Sequence, residues 1–191
     1  MGALRKGSLT VITGPMFSSK SGELIRLITV HRISGRHVVL FKHSLDGRNA
    51  ASATIATHGG AAMPAHSVST STEIELLVGG ADVVAVDEAQ FFDDGLPALA
   101  RRLVNDGVIV LVAGLDRSFS ADPFGPLPEL MALADDVMKL RAVCMRCHAL
   151  NATLSQRLFD GRAVPRRSEL IQMDATVTYE ARCRDCHEVP D

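Results

Sequence analysis

The chain has 191 residues, with 20 Lys and Arg against 22 Asp and Glu and a net charge of −2, a balance that argues against nucleic acid or a membrane surface as its partner. Apolar residues make up 47% of it, enough for one packed core with at most a small appendage, and no apolar run approaches the roughly 18 residues of a membrane span. Residues 1–7 precede strand-like sequence and are too short for a signal peptide, so a cytoplasmic protein with reduced thiols is expected.

In chain order, apolar runs rich in Val, Ile and Leu at 8–13, 37–42, 82–86 and 107–113 read as buried strands of a mainly parallel sheet. Helical patterns fall between them at 20–33, 71–78, 95–106 and 127–135, the last opening with Pro126 and Pro128, which a helix start tolerates. The stretch 43–60 is polar and aperiodic and predicts a mobile loop, while 137–143 alternates and predicts a further strand. This order implies a doubly wound, three-layer α/β domain over 1–143. The pattern breaks at Cys144, and 144–191 is expected to form a small zinc-ribbon-like lobe.

The first strand runs into Gly14-Pro15-Met16-Phe17-Ser18-Ser19-Lys20-Ser21. This is the GxxxxGK[ST] pattern of a phosphate-binding P-loop with one departure, Ser19 where the pattern asks for Gly. Such a loop wraps phosphates in backbone N–H groups and aims a helix N-terminus at them. Lys20 is placed to reach the β and γ phosphates of a nucleotide and Ser21 to ligate Mg²⁺. A Cβ at Ser19 would crowd the phosphate or strain the turn.

The strand at 82–86 exits through Asp87-Glu88-Ala-Gln-Phe91-Phe92. An apolar strand ending in Asp is what P-loop proteins use to hold the metal, and carboxylates there face the crevice where open α/β sheets bind ligands. One carboxylate can serve the metal while the other takes a proton. The competing reading is that the pair caps the helix that follows.

All four cysteines lie in two CxxC steps, Cys144-Met-Arg-Cys147 and Cys183-Arg-Asp-Cys186, with 35 residues between them. Paired CxxC knuckles are a usual form of a tetrahedral zinc site, but with a gap of roughly 15 to 20 residues. The wider spacing predicts a long loop pinned at both ends by one metal. Four thiolates fill a tetrahedron and make the site structural, with His148 and His187 as possible replacements for a cysteine and disulfides as the minor alternative.

Taken together, these motifs resemble the zinc-containing thymidine kinases, the type distinct from the herpesviral enzymes, over nearly the whole chain. GPMFSSKS is similar to the family's GPMFSGKS, DEAQFF to DE-x-QFF, and Gly114-Leu-Asp-Arg-Ser-Phe119 with Asp122-Pro-Phe-Gly125 to GLD-x-x-F…PFG. Ser155-Gln-Arg157 resembles TQR, and Tyr179-Glu-Ala-Arg-Cys183-Arg resembles Y-x-x-x-CR. Asp174-Ala175 stands where the family has Gly-Gly, and one extra residue separates Cys147 from Ser155.

The resemblance implies ATP-dependent phosphorylation of the thymidine 5′-hydroxyl, a homotetramer, and feedback inhibition by dTTP. By motif it makes Glu88 the catalytic base and places Gly14 to Ser21, Asp87 and Arg48 at the ATP phosphates and Mg²⁺. Met16, Phe91, Leu115, Phe119, Phe124, Ser155 and Tyr179 match positions around the nucleoside. It implies that the segment between the knuckles is a lasso over the nucleoside, reading thymine largely through backbone groups. A catalytically impaired nucleotide sensor of the same fold is the alternative to an enzyme. A zinc ribbon that binds nucleic acid is disfavoured by the charge and by the lack of a basic, aromatic-interleaved stretch.

Overall fold

The computed structural model describes residues 7–45, 54–56, 62–171 and 176–191. Their elements are β1 (Ser8–Thr13), α1 (Lys20–Ile33), β2 (Val38–His43), β3 (Thr54–Ala56), β4 (Ala62–Pro64), β5 (His66–Val68), α2 (Ser71–Leu77), β6 (Val83–Asp87), α3 (Leu96–Asn105), β7 (Ile109–Gly114), α4 (Leu127–Leu133) and β8 (Asp136–Lys139), followed by β9 (Leu154–Phe159), β10 (Arg162–Ala163) and β11 (Val177–Arg182).

Six strands form one parallel sheet in the order β5-β2-β6-β7-β1-β8. Successive strand residues point to opposite faces, and both faces are apolar, so both must be covered. On one face Val11, Val84, Val86, Val110 and Val112 pack against Ile74 of α2, Leu96, Leu99 and Leu103 of α3, and Leu127 and Leu130 of α4. On the other face Ile12, Leu40, Ala85, Leu111 and Ala113 pack against Leu24 and Ile28 of α1. Leu24 and Ile28 are one helical turn apart and fully buried, each contributing roughly 1.5–3 kcal/mol of hydrophobic stabilisation. This is the expected three-layer α/β arrangement.

Two stretches differ from the sequence expectation. The supposed loop at 43–60 contains β3, which pairs antiparallel with β4; Ile55 and Met63 are buried there beside α1. Two apolar residues on three-residue strands give too little alternation to be seen in sequence. The strand expected at 137–143 runs only from Asp136 to Lys139. The Leu140 amide still donates to the Thr13 carbonyl at 2.7 Å, but β1 offers nothing further because the phosphate loop begins, and the chain turns toward the first knuckle.

The span between the knuckles is not one open loop either. β9 pairs antiparallel with β11 from Leu154↔Arg182 to Phe159↔Val177, and β10 folds back on β9. The knuckles sit just before β9 and just after β11, so bringing four thiols together also sets these strands side by side. Ala142, Cys144, Ala152, Ala181 and Cys183 make a small core of their own. Among the described residues no helix is long and apolar enough to cross a membrane.

Candidate active site and metal centre

The phosphate loop leaves β1 at Gly14 (φ 146°), passes Phe17 and Ser19, both at φ 64°, and enters α1 at Lys20. Ser19 is the N-cap of α1 in the left-handed region, and its side chain caps nothing. The N-terminal amides of α1 therefore receive no side-chain cap from it, and they add to the positive end of the helix dipole. The loop is also held internally. Ser18 Oγ and Lys20 Nζ each donate to the Pro15 carbonyl at 2.8 Å, and the Met16 amide donates to Ser155 Oγ at 3.0 Å. The last contact ties the loop to β9.

At the C-terminal end of β6, Asp87 is buried while Glu88 is half-buried. Burial, and next the charge of Glu88, push the Asp87 carboxyl up to about 7, although the Ser21 side chain hydrogen-bonds to it. Ser21 opens α1, so this bond joins the phosphate loop to the acidic corner. Glu88 takes a left-handed backbone (φ 52°, ψ 40°) and begins a 3₁₀ turn, Ala89–Phe91. A non-glycine residue held in that region costs of order 1–3 kcal/mol and is retained only where the surroundings over-determine it.

Gln90 supplies that restraint. Its Nε2 donates to Glu88 Oε2 at 2.6 Å, and its Oε1 accepts from the Leu115 amide at 2.9 Å. The side chain is 3% exposed, and both of its polar atoms are used. A Cβ on Gly114 would lie 2.7 Å from Gln90 Oε1, so a glycine at the end of β7 makes room for the amide. Gln90 thus fixes one carboxylate oxygen of Glu88 and links the exits of β6 and β7. Gln90 is a fixed position of the DE-x-QFF pattern, the one sequence signal for it, but the pattern does not say which groups the amide bridges.

The Sγ atoms of Cys144, Cys147, Cys183 and Cys186 all lie within 4.8 Å of one another, with Cys147 and Cys183 3.7 Å apart. Zinc–sulfur bonds of about 2.3 Å in a tetrahedron put the sulfurs about 3.8 Å apart, so the cluster fits one Zn²⁺. Burial works against a thiolate at Cys144, but backbone hydrogen bonds from Cys147, Cys183 and Arg146 outweigh it and bring the thiol down to about 6. Neither neighbouring histidine joins the four-thiol cluster. His187 Nε2 instead meets the Phe119 carbonyl at 2.9 Å.

The family model for thymidine kinase matches residues 7–187. The chain belongs to the thymidine kinase family. Membership makes it a kinase with nucleoside and nucleotide substrates, built on the α/β sheet and the cysteine cluster described above.

Within this thymidine kinase fold the residues expected around the nucleoside fall into two groups. Phe91, half-buried in the 3₁₀ turn after Glu88, meets Phe124 edge-to-face at 5.8 Å between ring centroids. Leu115 follows β7 with its amide on Gln90, and Met16 and Ser155 are joined by the hydrogen bond already given. These contacts tie the first group to the exits of β6 and β7 and to the phosphate loop. Phe119 is only 5% exposed and lies under the guanidinium of Arg157, 3.7 Å from its ring centroid. Tyr179 is half-buried on β11, in register with Arg157. Arg48 and Asp174-Ala175 lie outside the described residues.

Arg157, the arginine of the TQR-like motif, is a second residue whose contacts the motif alone does not state. It is fully buried; its Nη1 donates to the carbonyls of Glu169 at 2.7 Å and Leu170 at 3.4 Å, while its Nε and Nη2 have no hydrogen-bond partner among the described residues. It therefore holds the segment beyond β10 down onto Phe119. A buried cation that rests on an aromatic face and two carbonyls, with no carboxylate partner among the described residues, is expensive, which marks this contact as one the fold maintains at a cost.

Proposed function

We propose that the chain transfers the γ-phosphoryl group of ATP to the 5′-hydroxyl of thymidine, yielding dTMP and ADP. One observation carries this reading: the Glu88 carboxylate stands at the exit of β6, oriented by Gln90, beside a phosphate loop coupled to the same corner through Ser21 and Asp87. As the 5′-oxygen bonds to the γ-phosphorus and the bond to the ADP oxygen breaks, Glu88 accepts the hydroxyl proton. Lys20, the backbone N–H groups from Phe17 to Ser19, and Arg48 hold the phosphates. Ser21 and Asp87 would hold Mg²⁺, which would supply charge neutralisation to the phosphates of ATP. Phe91, Phe124, Leu115 and Met16 wall the base and sugar, with Phe119, Ser155 and Tyr179 closing the pocket from the C-terminal lobe.

In this reading 1–143 is the nucleotide-binding domain and 144–191 a zinc-binding lasso domain. The metal is structural, since four thiolates leave no open position for water. The segment held by Arg157 is the lasso over the nucleoside. Inhibition by dTTP, action on deoxyuridine, a homotetramer and a role in cytoplasmic nucleoside salvage belong to the same proposal.

The test is release of ADP from ATP and Mg²⁺ with each of the four deoxynucleosides in turn. Strong stimulation by thymidine alone is expected. ATP binding with no stimulation by any nucleoside would favour the impaired sensor instead.

A further inference from the structure

A cavity of about 350 Å³ lies where the sheet meets the C-terminal lobe, lined by Arg117, Lys139, Arg141, Thr153 and Arg184. The four cations come from four separate places: the loop after β7, the end of β8, the approach to the first knuckle, and the second knuckle itself. None of these five lining residues is a carboxylate. Asp116 lies next to the cavity, but its charge is already committed: Oδ1 takes the Thr13 hydroxyl at 3.1 Å, and Oδ2 meets Lys139 Nζ at 2.7 Å and Arg117 Nε at 3.3 Å.

The positive charge is otherwise uncompensated. Arg141 and Arg184 are exposed and make no hydrogen bond or ion pair among the described residues. Arg117 is held in place by its Nη2, which donates to the Thr153 carbonyl at 2.7 Å, while its buried Nε completes no hydrogen bond. Four cations against one carboxylate leave a surplus of three positive charges, on a chain whose net charge is −2. Like charges gathered in a concave site repel one another, and field lines there are focused; a multivalent anion relieves that repulsion and gains charge-assisted hydrogen bonds. Guanidinium groups match phosphate geometry in particular.

We infer that this cavity is a binding site for a small phosphate-bearing anion, separate from the phosphate loop. Its size suits two or three linked phosphate groups, free or carried on a small metabolite. The site does not depend on the proposed reaction, since none of its lining residues is placed in the catalytic or nucleoside-binding machinery.

The experiment is NMR of the arginine Nε–Hε resonances in the full-length, zinc-loaded chain, titrated with inorganic pyrophosphate. Resonances are assigned by their loss in Arg117→Lys, Arg141→Ser and Arg184→Ser. Saturable shifts are expected at Arg117, Arg141 and Arg184. Affinity should fall about tenfold in either serine variant, the scale of one charge-assisted hydrogen bond, and stay unchanged in Lys20→Ala, which disables the phosphate loop. Zinc content of every variant, with ATP binding of the arginine variants, establishes that each is folded; because Arg184 lies between two cysteines, Arg141→Ser decides the matter should Arg184→Ser lose its metal. Shifts that vanish in Lys20→Ala but persist in Arg141→Ser would place the pyrophosphate in the phosphate loop and overturn the inference. A linear response without saturation would overturn it as well.

Discussion

At the scale of single residues, the acidic corner after β6 rests on two environments. Glu88 is half-buried with one oxygen held by Gln90, whereas Asp87 is buried and its carboxyl is raised from 3.8 to about 7 by desolvation and the neighbouring charge. Gln90→Leu removes the donor to Glu88 and leaves the Leu115 amide unmatched. The expected result is a fall in kcat of roughly 10²-fold, the scale of a misplaced reacting group, with ATP affinity unchanged by equilibrium binding. Loss of ATP binding in parallel would mean the glutamine only supports the fold. For Asp87, the folded chain retains a proton between pH 3.8 and about 7 that the unfolded chain has released, so this group's contribution to stability falls as pH rises through that window. A divalent cation must displace the same proton. Affinity for Mn²⁺, used in place of Mg²⁺ and followed by calorimetry, should drop about tenfold per pH unit below about 7 and level off above it. Asp87→Asn should abolish the dependence; a flat profile in the unchanged chain contradicts the assignment.

At the scale of elements, β1, β2, β6 and β7 were legible because each is a run rich in Val, Ile and Leu, and the four helices because helical sequence falls between those runs. α1 runs over Lys20–Ile33, as its pattern reads. The hairpin of β3 and β4 and the short β5 were not legible, since three residues cannot display a period. The start of α1 illustrates what sequence does give. A serine replaces the glycine of the phosphate-loop pattern at Ser19, and the residue is indeed left-handed at φ 64°. That conformation costs a non-glycine residue about 1–2 kcal/mol, partly offset because glycine loses more freedom on folding. Ser19→Gly should therefore leave ATP affinity and turnover equal or higher, with only a small change in melting temperature. A large loss of turnover would give the serine a role of its own, beyond tolerating the turn.

At the scale of the whole molecule, the C-terminal lobe is where sequence said most about chemistry and least about shape. The two CxxC steps named the thiols that the fold brings within 4.8 Å. Yet 35 residues between them read as one loop, because nothing local in Leu154–Phe159 declares that its partner is Val177–Arg182. Glu88, Gln90 and Arg157 all stand in recognisable motifs, but the roles of Gln90 and Arg157 lie in what they touch across the fold, which no motif states. The lobe touches the phosphate loop at Ser155 and Met16, while the loop itself belongs to β1 and α1 of the sheet domain, so disturbing the metal should act unevenly. Cys183→Ser, or zinc removal by chelation, is expected to weaken thymidine binding far more than ATP binding, with some general destabilisation from the coupling of metal binding to folding. Equal weakening of both ligands would indicate global unfolding, and unchanged thymidine binding would remove the lobe from the nucleoside site. The central claim, a phosphoryl transfer whose proton goes to Glu88, is tested most directly by comparing thymidine-dependent ADP release of the unchanged chain and of Glu88→Gln at saturating ATP and thymidine. The account predicts a loss of roughly 10²- to 10⁴-fold, the usual worth of a positioned base, with ATP still bound; turnover within a few-fold of the unchanged chain would contradict it.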